Sequence, residues 1–335
     1  MNCPAISIII PTYNRARSLA MTIQGFDALD YPKDRYEIVV ADNNSSDETR
    51  SVVDECRGKS SVPIQYLMER RQGVHYARNT AAKQAKYDLL YFTDDDMTPD
   101  RQLLRPLVSV LELDAKIACA GGRVLPIWEI PPPDWIVRYC SNGLLSLSNR
   151  PESLIISPLD PGVFSCHQLI RKKALIHVGG FNPENTRGEW IGDGETGLNL
   201  KLEKSGYWFA YVGASVIHHR IPAQRLTLKY LTRRYANQGS SDAYTAYRAH
   251  GHSRNRVWLD IGACVLRAVK ALVLLLKRSA LFDARWRLAF GRLYYSRARL
   301  RYDVRLLHSA RWRDLVRQND WMAEIKNPGS DPALM

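Results

Sequence analysis

The sequence predicts an α/β protein: a mostly parallel sheet sandwiched by helices, followed by a C-terminal helical extension. Three observations carry this. Short apolar runs alternate with helical segments through the first half of the chain. Those runs are apolar throughout rather than at every second residue, as strands covered on both faces are. From about Leu226 the pattern becomes helical and rich in arginine.

In order, ISIII (residues 6–10) is a buried strand that Pro11 ends, and residues 15–29 form a helix. YEIVVADN (36–43) is the second strand; the helix at 47–58 has Ser45, Ser46 or Asp47 available as its cap. IQYLME, GVHYARNTAAKQA and DLLYFTD continue as strand, helix and strand. Residues 126–165, with PIWEIPPPDW, predict an irregular excursion over the ligand crevice. CHQLIRKKALIHVGGF then reads as strand into short helix, GETGLNLKLEKSGY as an amphipathic helix with Leu198 and Leu202 inward, and WFAYVGASVIHH as a strand ending in two histidines. Segments 226–248, 257–277 and 283–317 are helical by pattern. Residues 1–225 are expected to form one domain and 226–335 a basic helical region.

The chain has 335 residues and a net charge of +13, unevenly placed. Residues 1–224 carry 25 Lys+Arg against 26 Asp+Glu, whereas residues 225–317 carry 21 against 5. The tail returns a small negative balance, Lys326 against Asp320, Glu324 and Asp331. Any anionic partner is therefore sought at the C-terminal helices. The six cysteines, Cys3, Cys56, Cys119, Cys140, Cys166 and Cys264, show no close ligand spacing, and the N-terminus has no cleavable-looking signal. Free thiols, no zinc site and a cytoplasmic location are expected.

Several chemistries are disfavoured by absent motifs. GKSS at 58–61 lacks the upstream glycine of a phosphate loop, no GxGxxG follows the first strand, and GxSxG does not occur. What remains stands at the carboxyl ends of the strands, where such sheets bind ligands. Pro11, Thr12 and Tyr13 follow strand one, Asp42 and Asn43 end strand two, and Asp94, Asp95 and Asp96 follow strand four. Three adjacent carboxylates need a compensating partner. If the strand continues, Asp94 and Asp96 project to one side and Asp95 turns away. Such a pair suits Mg²⁺ or Mn²⁺, which would also accept diphosphate oxygens.

At this point ISIIIPTYNR, YEIVVADNNSSDET, GVHYARNTA, YDLLYFTDDDMTPD, VGGF, GDGETGLNLKLEKSGY and VIHHRIPAQRLT, in this order over residues 6 to about 227, resemble the family 2 glycosyltransferases of GT-A fold. The resemblance implies an inverting transferase using a nucleotide sugar, with uridine the usual base. Pro11, Thr12 and Tyr13 would hold base and ribose, and Asp42 would accept a hydrogen bond from the base. Asp94 to Asp96 would be the DxD motif, Asp94 near ribose or sugar and Asp96 on the metal. Arg78 would lie near the donor phosphates or sugar, or form a helix salt bridge. His219 would contact metal or diphosphate, and His218 would be structural. The family's adjacent Glu-Asp pair is altered here: counting back from Gly206-Tyr207 puts Glu195 at the catalytic position and Gly194 at the preceding one. Asp193 either supplies the lost carboxylate or is the base itself; alternatively both acids cap the helix. Trp190 and the Trp128 to Trp135 loop are candidates to stack on acceptor sugar or to pack internally.

The implied partners are a nucleotide-sugar donor and a saccharide or lipid-linked acceptor of a cell-surface polymer. The C-terminal helices, whose most apolar window is interrupted by Asp260, Arg267 and Lys270, suit a peripheral position on an anionic membrane or a homodimer contact rather than a membrane span. No recognised module supports nucleic acid. A nucleotidyltransferase, or a non-catalytic membrane-surface protein on a degenerate transferase fold, are the other readings; PTYNRARS lacks the glycines the former needs.

Overall fold

Alternation of side chains along the strands builds two cores. Ile6, Ile8 and Ile10 enter one apolar cluster, and Ile9 enters a second on the other face of the sheet. The computed structural model describes residues 3–186 and 188–323; Glu324, Lys326, Asp331 and the rest of 324–335 lie outside the described residues.

The elements run β1 (Ile6–Thr12), α1 (Ala16–Asp27), β2 (Tyr36–Asp42), α2 (Thr49–Lys59), β3 (Ile64–Met68), α3 (Val74–Gln84), β4 (Leu89–Thr93), β5 (Met97–Pro99), α4 (Leu104–Leu113) and β6 (Ile117–Trp128). They continue as α5 (Asp134–Cys140), β7 (Leu154–Ser157), β8 (His167–Arg171), α6 (Lys172–His177), β9 (Asn185–Thr186), β10 (Glu189–Trp190), α7 (Gly194–Lys204) and β11 (Trp208–Ile221). The C-terminal helices are α8 (Leu228–Ala249), α9 (Arg254–Ala280), α10 (Trp286–His308) and α11 (Ala310–Arg317).

Among the described residues one sheet has nine strands, ordered β3-β2-β1-β4-β8-β6-β11-β5 with β7 beside β11. The first four strands are parallel, as expected. The other half is mixed, because β8 runs antiparallel to both β4 and β6 while β6 and β11 are parallel. Residues of α1, α2 and α4 cover one face and residues of α3, α6 and α7, including Leu198 and Leu202, the other. The proline-rich stretch is more regular than expected: it carries α5 and the edge strand β7.

The C-terminal helices share a third cluster, in which Tyr244, Tyr247, Tyr302, Leu306 and Trp312 surround Ile191. Gly239 of α8 has a packing reason, since a Cβ there would lie 2.2 Å from the Tyr295 carbonyl oxygen of α10. The predicted helix at 283–317 breaks at Ser309, whose hydroxyl caps α11 by accepting from the Trp312 N–H at 3.1 Å.

Asp303 is buried in this packing, 3.6 Å from Arg299. Burial pushes its carboxyl up to about 7, with Arg299 opposing and Asp260 adding to the rise. A folded-state value above the ordinary one means that the associated stability is fully present below the ordinary carboxylate range and is lost as pH rises through about 7. Asp303→Asn is therefore expected to raise Tm by about 2–4 °C near pH 8 and by much less near pH 5, as thermal melts would read.

Candidate active site

β1, β2 and β4 end at Thr12, Asp42 and Thr93 in parallel pairing, so the loops that follow leave one edge of the sheet together. Side chains tie these loops to one another. Asn14, in the left-handed region at φ 51°, accepts from the Ser46 N–H at 2.7 Å, and its own N–H donates to the Ser45 hydroxyl at 2.9 Å. Asn43 accepts from the Gly73 N–H at 2.7 Å and donates to the carbonyls of Glu69 and Arg71. Pro11 is buried within β1, while Tyr13 is 49% exposed and offers an open ring. Asp42 is buried and accepts from the Ser45 N–H at 2.9 Å and the Tyr66 hydroxyl at 2.6 Å.

The aspartate triplet departs from strand alternation because β4 stops at Thr93 and Asp95 and Asp96 form a turn into β5. Asp94 faces Arg78, whose guanidinium donates to it. Asp95 accepts from the Thr12 hydroxyl at 2.8 Å and from Arg15 Nη1 at 2.9 Å. The same nitrogen donates to Asp96 at 3.0 Å, and Arg225 Nη2 donates to Asp96 at 2.8 Å. The expected pairing of Asp94 with Asp96 is thus corrected: Asp95 and Asp96 share one guanidinium, and Asp94 has its own.

These contacts set the charge. Burial pushes Asp95 up to about 6, Arg15 opposing and the Asp96 charge adding. Burial acts on Asp96 in the same sense, but the Arg225 and Arg15 charges beside it outweigh burial and hold that carboxyl below the ordinary range.

His219 is buried, with Nδ1 2.9 Å from the Leu145 carbonyl. A carbonyl only accepts, so Nδ1 carries the proton and the Nε2 lone pair faces Asp96 Oδ2 at 3.6 Å. Arg225 bridges these two acceptors, donating to His219 Nε2 and Asp96. A cationic group therefore already occupies the position between an imidazole lone pair and a carboxylate. That donor set fits a divalent cation that takes its other ligands from diphosphate or water. Among the described residues no group of three or more His, Cys, Asp or Glu side chains could hold a metal by itself. His218 is 3.4 Å from Asp100, away from this pair.

A second acidic group is tied to the neighbouring strand β8. β8 pairs antiparallel with β4, Thr93 opposite His167, so the turn at Ser165 and Cys166 that leads into β8 lies beside the end of β4. Ser165 donates from its backbone N–H at 2.7 Å, and from its hydroxyl, to Glu195 Oε2. Burial raises the Glu195 carboxyl above its ordinary value; the Ser165 hydrogen bonds oppose this and Glu184 adds to it. Asp193 is differently engaged: Oδ1 accepts from Asn182 Nδ2 at 2.7 Å and Oδ2 from the Thr245 hydroxyl of α8 at 2.8 Å. It makes no side-chain cap to α7. Both of its oxygens are committed to holding α7, the preceding loop and α8 together.

Gly194 explains the altered acid pair. Its φ is +52°, and a Cβ there would lie 2.2 Å from Glu184 Oε1 and 2.4 Å from His75 Nε2. Glu184 and His75, 3.5 Å apart, fill the space a residue-194 side chain would enter. Gly194→Ala is expected to cost about 1–3 kcal/mol through the backbone conformation and this overlap, visible as a lowered Tm.

Trp190 is half-buried, its indole N–H donating to the Ser241 hydroxyl at 3.0 Å. Trp128 and Trp135 pack against the main core. A cleft of about 770 Å³ opens beside Asp96, with Arg15, Ser18, Asp47, Glu129 and Arg220 in its walls. Arg15, Arg225, Ser165, Glu184 and His75 had no assigned role from sequence, although Arg15 and Arg225 lie within PTYNR and RIPAQRLT.

The family model described as glycosyl transferase family 2 matches residues 7–179, about half of the chain. Chondroitin synthase of Escherichia coli is 32% identical over 252 residues, covering 65% of this chain and 35% of that protein. The curated relatives it matches share only 22–40% of their own lengths with it. Among solved structures, the mannosyltransferase PcManGT from Pyrobaculum calidifontis, in complex with GDP-Man and Mn²⁺, matches with TM-score 0.60 at 20% identity over 91% of this chain and 88% of that one. TarS residues 1–349 of S. aureus, in complex with UDP-GlcNAc, matches with TM-score 0.51 at 14% identity over 90% of this chain and 91% of that one. These likenesses show the GT-A fold.

Proposed function

Because this chain belongs to glycosyl transferase family 2, we propose that it is an inverting, metal-dependent glycosyltransferase moving a sugar from a nucleotide donor to a hydroxyl acceptor. The donor is a UDP-hexose or UDP-N-acetylhexosamine, and the acceptor a saccharide, including one carried on a lipid. Residues 1–225 supply the donor and catalytic groups, and 226–335 the basic helical region. What supports this most is that Asp96, beside His219, follows the end of β4, while Ser165, in the turn leading into the adjacent β8, holds Glu195.

Each residue then has a physical task. Tyr13, Thr12 and Pro11 form the base and ribose wall. Asp42, oriented by Tyr66 and Ser45, faces the base. Arg78 and Asp94 form a charged pair beside the sugar and diphosphate. Asp95 locks the triplet turn to the end of β1 through Thr12 and to the start of α1 through Arg15. Asp96 and His219 would hold Mg²⁺ or Mn²⁺, which when bound offsets charge on the departing diphosphate. Arg15 and Arg225, both beside Asp96, provide fixed positive charge at the same place.

Glu195 Oε1 or Oε2 takes the proton of the acceptor hydroxyl as that oxygen bonds to the anomeric carbon. The bond from that carbon to the diphosphate oxygen breaks, its electron pair leaves with the nucleoside diphosphate, and the configuration inverts. The raised Glu195 carboxyl is a stronger base than an exposed one, and the Glu184 charge, held by His75, sustains this. Trp190, in β10 shortly before α7, would offer its ring face for an acceptor sugar to stack on.

A panel of UDP- and GDP-sugars with Mn²⁺ tests the proposal through slow release of nucleoside diphosphate and mass-spectrometric detection of the transferred sugar. Release from at least one UDP-sugar is expected. Absence of both binding and release across the panel would refute it.

A further inference from the structure

The longest helix in the structure is half unpartnered. α9 buries Val257, Cys264 and Ala271 on one side, at seven-residue spacing. On the other side Leu259, Leu266, Val269, Val273 and Leu276 are 55–72% exposed, at steps of three, four and seven residues that keep them in one stripe. Trp258, 61% exposed, stands at its start, and Phe282, 95% exposed with φ 51°, projects from the turn into α10. A contiguous apolar stripe of this length on a soluble surface marks a contact.

Charge selects the occupant. Between residues 261 and 280 α9 contains Arg267, Lys270, Lys277 and Arg278 and no acidic residue. The one acid of the helix, Asp260, is taken up by His250 and Arg299 at 3.5 and 3.7 Å. A second copy docked by a two-fold axis would lay one basic flank against another, with no acidic flank to meet it. An anionic bilayer complements both the stripe and its flank. No helix among the described residues is long and apolar enough to cross a membrane, so the contact lies along the surface.

We propose that the outer face of α9, extended by Phe282, docks this protein on an anionic lipid bilayer, with the apolar stripe entering the headgroup boundary and Lys270 and Lys277 reaching lipid phosphates. This goes beyond the transfer reaction and does not depend on it.

Flotation of the full chain with vesicles of phosphatidylcholine and phosphatidylglycerol in equal parts, against phosphatidylcholine alone, tests it. The protein is expected to float with the anionic vesicles, the double variant Leu266→Glu/Val273→Glu to bind at least about tenfold more weakly, and Lys270→Gln/Lys277→Gln to lose the preference for phosphatidylglycerol. The substituted side chains are exposed, and unchanged circular dichroism would confirm intact folding. Failure of the unaltered chain to float, or equal binding by the Leu266→Glu/Val273→Glu variant, overturns the proposal. So does light scattering that shows a dimer dissociated by that same variant without vesicle binding, because a second copy is then the occupant. Failure to float with UDP binding intact leaves the transferase assignment standing.

Discussion

Replacing Glu195 with Gln is expected to lower turnover by about 10²–10⁴-fold while leaving the donor Kd within about twofold, the signature of a lost general base. Glutamine keeps the side-chain length and still accepts from the Ser165 N–H, so the geometry survives while the basic oxygen is lost. Asp193→Asn provides the contrast. Both Asp193 oxygens accept hydrogen bonds, from Asn182 and Thr245, so its loss is expected to cost about 1–3 kcal/mol in stability with a far smaller effect on turnover. Single-turnover kinetics and thermal melts on the two variants separate the roles. If Asp193→Asn stops turnover at unchanged Tm, it is the base. Because burial raises the Glu195 carboxyl above its ordinary value, the acid limb of kcat/KM should lie above the ordinary carboxylate range and vanish in Glu195→Gln.

Asp96→Asn carries the second large expectation: loss of metal-stimulated donor binding, by at least about 100-fold in kcat/KM. Asp96 is the carboxylate against which Arg15, Arg225 and His219 are all arranged. Neutralising it removes the anionic member of the cation site and leaves two guanidinium groups and an imidazole facing one another. Asp94→Asn, by contrast, loosens only the pairing with Arg78 and should weaken donor binding without abolishing its metal response. Titrations of donor with and without Mn²⁺ on both variants would distinguish them.

Much of the sheet was legible because strands such as ISIII and LLYF are almost wholly apolar rather than alternating, as a sheet covered on both faces requires. The antiparallel β8 was not legible, since pairing direction leaves no mark on a strand as short as HQLIR. At the site, the position of the aspartate triplet followed from strand order, but the orientation of its members did not. A turn beginning after Thr93, rather than a continuing strand, decided that Asp95 would join Asp96. The need for compensating charge was readable from three adjacent carboxylates, yet its suppliers, Arg15 and Arg225, stand 80 and 129 residues from their partners, and only the fold brings them together. Gly194 read as a lost carboxylate. The space is instead filled by Glu184, ten residues earlier, through a positive φ and a close approach that no local pattern encodes.

In the proposed transferase, Asp96 and His219 form one end of a nucleotide-sugar crevice that takes a divalent cation together with the donor. Calorimetric titration of UDP into the full chain, with Mn²⁺ and then with chelator, tests it most directly. Binding is expected to be at least about tenfold tighter with the metal, and the enhancement to be lost in Asp96→Asn. Equal affinity with and without Mn²⁺, or an enhancement that survives Asp96→Asn, would contradict it.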